Sequence, residues 1–299
     1  MRMSLPITYA LAIIFQSQAF AASDPLYLDE DDHESEMKPY VQMTRPAQNF
    51  KYVAINDDES PNVEQTVETL DSRIQIGGNY TYVKIHANGH NSFTGSLGGA
   101  QGIYEYRPMD FFYGAAKLDW RMGPTHGHAG KRSLLYIDAQ ERLGYTFASD
   151  DEEWLLTLYS GFGYRHYGEN FTPKDGSSVK FNYNEIYVPV GGLVDYAVTD
   201  CFVIGLGFAW MPQVYPTVSI VPLKGARWVI TNQLANFFVE LPLTITMGDE
   251  KRFTLMINPH YQYWRDGHTT AKTSSGVKLA LPGNTYNFGG IDVNFGYQF

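Results

Sequence analysis

The sequence predicts an all-β chain folded as a transmembrane, antiparallel up-and-down β-barrel of about ten strands, and three observations predict it. Its last nine residues alternate apolar and polar without a break, so that Ile291, Val293, Phe295, Tyr297 and Phe299 share one face of a strand and Asp292, Asn294, Gly296 and Gln298 share the other. The 299 residues include 22 Tyr, 18 Phe and 5 Trp, yet the mean hydropathy is only -0.28. Apolar positions facing lipid, polar positions facing a lumen and aromatic girdles at both interfaces produce that combination. Finally, beyond the N-terminal leader no run approaches about eighteen apolar residues, so a membrane would be crossed by a closed barrel and not by a helix.

In chain order, residues 1–21 carry Arg2, an apolar stretch from Leu5 to Phe15 and the small-residue site Ala19-Phe20-Ala21, the pattern of a cleaved secretory signal peptide. Residues 22–71 hold 13 acidic and 3 basic side chains, a balance equal to the formal charge of -10 for the whole chain. With prolines at 39, 46 and 61 they are expected to form a polar, partly disordered periplasmic extension, in which Phe50 to Ile55 could make one short strand. The remaining 72–299 hold 19 acidic and 18 basic residues and are nearly neutral. They divide into ten alternating segments at 73–85, 97–106, 112–122, 134–147, 154–167, 182–196, 202–211, 232–247, 253–264 and 286–299.

The joins alternate in length. Those at 107–110, 149–152, 198–200 and 248–250 are tight and rich in Asp, Gly and Pro. Those around 123–132, 168–181, 212–231 and 265–284 are expected to be long loops. Within segments, parity sorts the faces: Phe112, Leu118, Trp120 and Met122 fall toward lipid while Lys117, Asp119 and Arg121 fall inside, and Ile204, Leu206, Phe208 and Trp210 face lipid over Gly205, Gly207 and Ala209. Glu141 falls on the apolar parity of its segment, which predicts a bulge or an interfacial position. Pro189 and Pro242 each lie inside a segment and predict local distortion, because proline removes a ladder hydrogen bond. Cys201, the only cysteine, excludes an intrachain disulfide and is expected as a small buried residue at the periplasmic rim.

The candidate lumen or pore-lining residues are Lys117, Asp119, Arg121, Asp138, Arg142, Arg165, Glu185, Asp195, Glu240 and Asp292. About ten strands enclose a space only slightly wider than side chains can fill. Mixed charges in it are expected to pair as a salt-bridged core or to form a narrow charged constriction that selects small solutes. Histidines 86, 90, 126, 128, 166 and 268 gather near the outer ends of segments, where loop histidines are most often solvated. No Walker loop, dinucleotide-binding turn or basic stripe is present, so nucleotide and nucleic-acid binding have no support, and no cofactor or metal is expected.

The C-terminal alternation ending in an aromatic residue resembles the signal by which the barrel assembly machinery recognises bacterial outer-membrane barrel proteins, here carried by Ile291, Val293, Phe295, Tyr297 and Phe299. The resemblance, to small outer-membrane β-barrels as a class, covers the chain from about Ser72 onward. It implies a bacterial outer-membrane location, outer-membrane lipid and the assembly machinery as partners, and a role as a small pore or structural barrel. An alternative is a surface adhesin or binding protein that uses the outer loops 211–231 and 265–283 on small solutes or host ligands. Asp266-Gly-His268 is similar to half of the catalytic pattern of omptin proteases, and His90-Asn-Ser92 has the letters of the lipid A deacylases. No outer-rim Asp-x-Asp completes the first and the second falls in a loop, so an enzyme is not expected.

Overall fold

The computed structural model describes residues 71–87, 91–149, 153–174, 176–221, 227–248, 250–269 and 281–299. The expected signal peptide, the acidic extension up to residue 70 and its 50–55 strand lie outside them. The described chain is all β. Five staves come first, β1 (Ser72–Ala87), β2 (Asn91–Tyr106), β3 (Phe111–Gly127), β4 (Gly130–Ala148) and β5 (Trp154–Pro173). The sixth is β6 (Val179–Tyr187) with β7 (Val190–Thr199), and the seventh is β8 (Phe202–Trp210) with β9 (Thr217–Ile220). The eighth is β10 (Arg227–Val229), β11 (Phe237–Glu240) and β12 (Leu243–Met247), followed by β13 (Phe253–Arg265) and β14 (Asn284–Gln298).

Each stave pairs antiparallel with its sequence neighbours, and β14 closes the ring on β1 from Arg73↔Gln298 to Ala87↔Asn284. Ten staves therefore form a closed barrel with no free edge, the condition for placing backbone in lipid. Hydrogen-bonded rows climb around it: the row beginning at Ser72, the first residue of β1, passes through Tyr106, Gly114 and Leu143 to Ser160, the seventh residue of β5. That climb is the strand tilt that ring closure requires.

Side-chain parity is constant along each strand, but polarity inverts partway up. On β1, Ile74 and Ile76 point out and are exposed while Gln75 and Asn79 are buried inside. Beyond Tyr80 and Tyr82 the outward residues become Lys84 and His86, and the inward ones Val83 and Ile85, both fully buried. The same switch occurs on β4, where Leu143, Tyr145 and Phe147 point out near the short turns, and Lys131 and Ser133 point out at the far end over buried Leu134. The lower part is thus a membrane barrel, apolar outside and polar inside. The upper part is built like a water-soluble barrel, polar outside with an apolar core of Phe93, Leu97, Val218, Trp228, Ile230 and Phe288.

This inversion corrects the expected loops. Residues 123–132 are strand apart from His128 and Ala129, and β5 and β6 occupy most of 168–181. Once outside lipid, a strand has no need of an apolar exterior, so its outward residues look like loop residues. The prolines do distort their staves: β6 stops before Pro189 and β7 begins after it, and Pro242 separates β11 from β12. The ring stays closed there because neighbouring backbone supplies bonds, with Val188 N–H donating to Pro212 O at 3.1 Å and Gly205 N–H to Pro242 O at 2.7 Å.

Two expectations fail. Cys201 is exposed, because it occupies the two-residue turn between β7 and β8, which nothing covers. Glu141 has neither a bulge nor an interfacial position. The β3–β4 and β4–β5 registers run through it without a shift, and it points outward between the levels of Tyr145 and Ile137.

The lipid-facing belt makes a direct prediction. Leu206, 54% exposed at mid-height of β8, when changed to Arg should lower the barrel's unfolding free energy in bilayers by about 2–4 kcal/mol, measured by urea titration. A change of under about 0.5 kcal/mol would mean that this face does not contact hydrocarbon.

Candidate functional site

Among the described residues, charged side chains concentrate away from water in the barrel interior, and inward parity on successive staves builds it. One hydrogen-bonded row brings Asp119 of β3, Asp138 of β4, Arg165 of β5 and Glu185 of β6 side by side. Like charges directly across a ladder repel, so Asp119 and Asp138 need separate cations, and each has one. Arg121 pairs with Asp119, donating from Nε at 3.0 Å, and also donates from Nη1 to Thr81 Oγ1 at 2.7 Å, while Asn79 Nδ2 donates to Asp119 at 2.9 Å. Arg165 Nε donates to Asp138 at 3.0 Å, and the Tyr187 and Tyr136 hydroxyls donate to the same carboxylate at 2.7 and 3.0 Å.

At the short-turn end, Arg73 pairs with Glu105 and Arg107 with Asp195, and Arg142 lies 3.8 Å from Glu240, which accepts from Asn258 Nδ2 at 2.8 Å. These groups and Lys117 surround a cavity of about 70 Å³. On β14, Asp292 lies 3.3 Å from His260 and 3.9 Å from Arg121. All ten residues singled out in the sequence therefore point inward, eight of them with less than a tenth of their surface exposed. Lys117, less buried, sits with its ammonium 5.5 Å from the Phe238 ring.

The outer half of the interior is closed by aromatic rings stacked on cations. The Arg165 guanidinium lies 3.5 Å from the centre of Trp264, and Tyr187 meets Trp264 edge-on at 5.5 Å. Higher up, Arg132 pairs with Glu169 at 2.8 Å and lies 3.9 Å from the Phe93 ring. Trp228, Trp264, Arg165 and Tyr187 are each less than 2% exposed. A space beside Arg165, Glu185, Asp266 and Tyr286 is about 10 Å³, roughly one water.

Seven interior residues of this network escaped the sequence reading. Arg73, Glu105 and His260 sit on inward parity and were legible. Arg107 and Asp266 lie just past strand ends, and Arg132 and Glu169 lie in strand extensions read as loops. Of the rim histidines, His166 accepts or donates at 3.0 Å with Asn184 on the outer wall, and His86, His126, His128 and His268 are exposed. Asp266 is buried and bonded to Trp264 Nε1 at 3.1 Å whereas His268 is exposed, so the pair does not form a dyad. His90 lies outside the described residues.

Glu169 stands five residues beyond the outer-girdle Tyr164, outside the membrane band, and burial raises its carboxyl to about 7 against the opposing pull of Arg132. Burial likewise raises Asp266. The folded state then holds protons that the unfolded state releases above its ordinary carboxylate range, so this end loses stability as pH rises from about 5 through 7. Thermal unfolding midpoints should fall over that window, and Glu169→Gln should flatten the slope. In the membrane part, Asp138→Ala should cost about 3–5 kcal/mol in urea unfolding, because it strands the Arg165 charge, and Asp138→Asn should cost less.

No protein-family model matches the sequence, and no curated protein is similar to it. Solved structures are similar in fold. The outer membrane protease OmpT from Escherichia coli matches with a TM-score of 0.50 at 9% identity, over 78% of this chain and all of that one, 100%. The Pseudomonas putida toluene transporter TodX matches at 0.39 and 11% identity over 76% of this chain and 89% of that one. Ail, the attachment invasion locus protein of Yersinia pestis, matches at 0.34 and 12% over 76% and 97%. With its closed ten-stave ring and apolar outer belt, the chain has the fold of a bacterial outer-membrane β-barrel.

Proposed function

We propose that this chain is a structural barrel of the outer membrane with a closed lumen, which holds a rigid extramembrane platform above the bilayer, and not a pore. One observation carries the reading: most of the charged groups that could line a channel are paired with one another, Lys117 and Glu185 excepted, and above them Trp228, Trp264, Tyr187 and Arg165 are buried in the interior. A channel needs a continuous wet path, and the space beside these residues is small, about 70 Å³ among the lower charges and about 10 Å³ beside Arg165 and Trp264.

Presentation of the outer end to another surface is the second reading, and exposed Val214, Tyr215 and Val221 favour it, since apolar side chains at a polar end mark contact sites. The C-terminal strand, with Ile291, Val293, Phe295, Tyr297 and Phe299 outward, supports recognition by the barrel assembly machinery. Outer-membrane lipid is the expected surrounding.

Planar-bilayer recording of the refolded protein tests the main reading. It predicts no steady unit conductance at either polarity, with and without residues 22–71. A stable conductance in the full chain would overturn it, and one seen only after truncation would make the acidic extension a plug. Changing exposed Val214, Tyr215 and Val221 to serine tests the second reading: attachment to other cells or surfaces should fall severalfold, and unchanged attachment would remove it.

A further inference from the structure

Glu141 is unexplained by either reading. Between the girdles the outward side chains among the described residues are apolar or aromatic, with two exceptions, Glu141 on β4 and Ser160 on β5, both exposed. A lipid-facing carboxyl at mid-depth is costly and, as a rule, marks a functional contact. No described side chain pairs with it: its neighbours across the ladders are Ala116 and Phe162.

The two exceptions are close and level. Ser160 is paired with Leu143, one outward position below Glu141 on the same strand, and Phe162 is paired with Glu141 itself. Because the rows climb from β4 to β5, Ser160 lies at about the depth of Glu141 although it is one row lower. On the β3 side the outward residues Gly114 and Ala116 are small, while Leu143 and Phe162 project outward beside Glu141 and Ser160.

We propose that this face of β3 to β5 is the interface of a two-fold dimer within the membrane, in which Glu141 of each copy hydrogen-bonds Ser160 of the other. The occupant is a second copy for a geometric reason. Copies inserted in the same direction are related by an axis along the membrane normal, so residues at equal depth meet. An axis between β4 and β5 therefore sets the Glu141 carboxyl opposite the hydroxyl of its counterpart, twice over. Leu143 and Phe162, which project beside the pair, would supply apolar packing around it. This inference rests on the membrane-spanning fold and not on whether the lumen is closed.

Cysteine cross-linking in native membranes tests it. In a Cys201→Ser background, Leu143→Cys lies beside the axis, and Leu206→Cys lies on β8, away from it. Oxidation should join Leu143→Cys chains into a covalent dimer at least tenfold more than Leu206→Cys chains. Adding Glu141→Leu should cut that yield about tenfold, while Glu141→Gln, which keeps hydrogen bonding, should retain most of it. Equal cross-linking at the two positions, an undiminished yield with Glu141→Leu, or a monomeric mass for the wild-type protein in lipid discs would overturn the proposal. Heat-shifted gel migration of each variant reports folding separately.

Discussion

A charged side chain that points into a ring of ten staves meets other side chains before it meets bulk water, and the rest of this structure depends on how those charges are matched. Asp119, Asp138, Arg165 and Glu185 stand in one row on four adjacent staves. The carboxylates would repel if left alone. Arg121 answers the first and Arg165 the second, and tyrosine hydroxyls take further lone pairs of Asp138. Ionised groups buried in this way are stable only as a set, so the interior behaves as one polar core whose members hold each other's geometry.

The matched charges also explain why the outer half can be apolar. Above the charged layer the barrel leaves the membrane, its exterior must meet water, and its interior is free to become an ordinary hydrophobic core. Arg165 joins the two zones by pairing with Asp138 and stacking on Trp264, and Arg132 repeats the device higher up between Glu169 and Phe93. Two barrels of opposite polarity, sharing the same strands and the same parity, meet near the outer girdle. The closed lumen we propose, and with it a rigid support for the outer end, rests on this arrangement.

How much of this was legible in the sequence follows from the same inversion. Below the girdle, lipid imposes apolar residues at alternate positions, so β3, β8 and β14 declare both their existence and their faces. Pro189 and Pro242 declare the breaks in their staves for a backbone reason that holds in any environment. Above the girdle the exterior is under no such demand: Lys131 and Ser133 on β4 look like loop residues, and the strands there were hidden although Val83-Lys84-Ile85-His86-Ala87 already alternates in the opposite sense. The inward parity of the ten lumen candidates was readable, but their partners were not. Which cation meets which carboxylate depends on barrel tilt, and Arg107 with Asp195 is a contact across several staves that no local pattern encodes.

The central claim, that the outer half of the lumen is a dry packed core, is tested most directly by the water accessibility of Val83, which is fully buried midway up that half. In a Cys201→Ser background, Val83→Cys should resist a membrane-impermeant maleimide added to either side of reconstituted vesicles, while His86→Cys, exposed on the same strand, should react freely. Labelling of Val83→Cys within tenfold of the His86→Cys rate, in protein that remains folded, would mean that the lumen is open to water and would contradict the account.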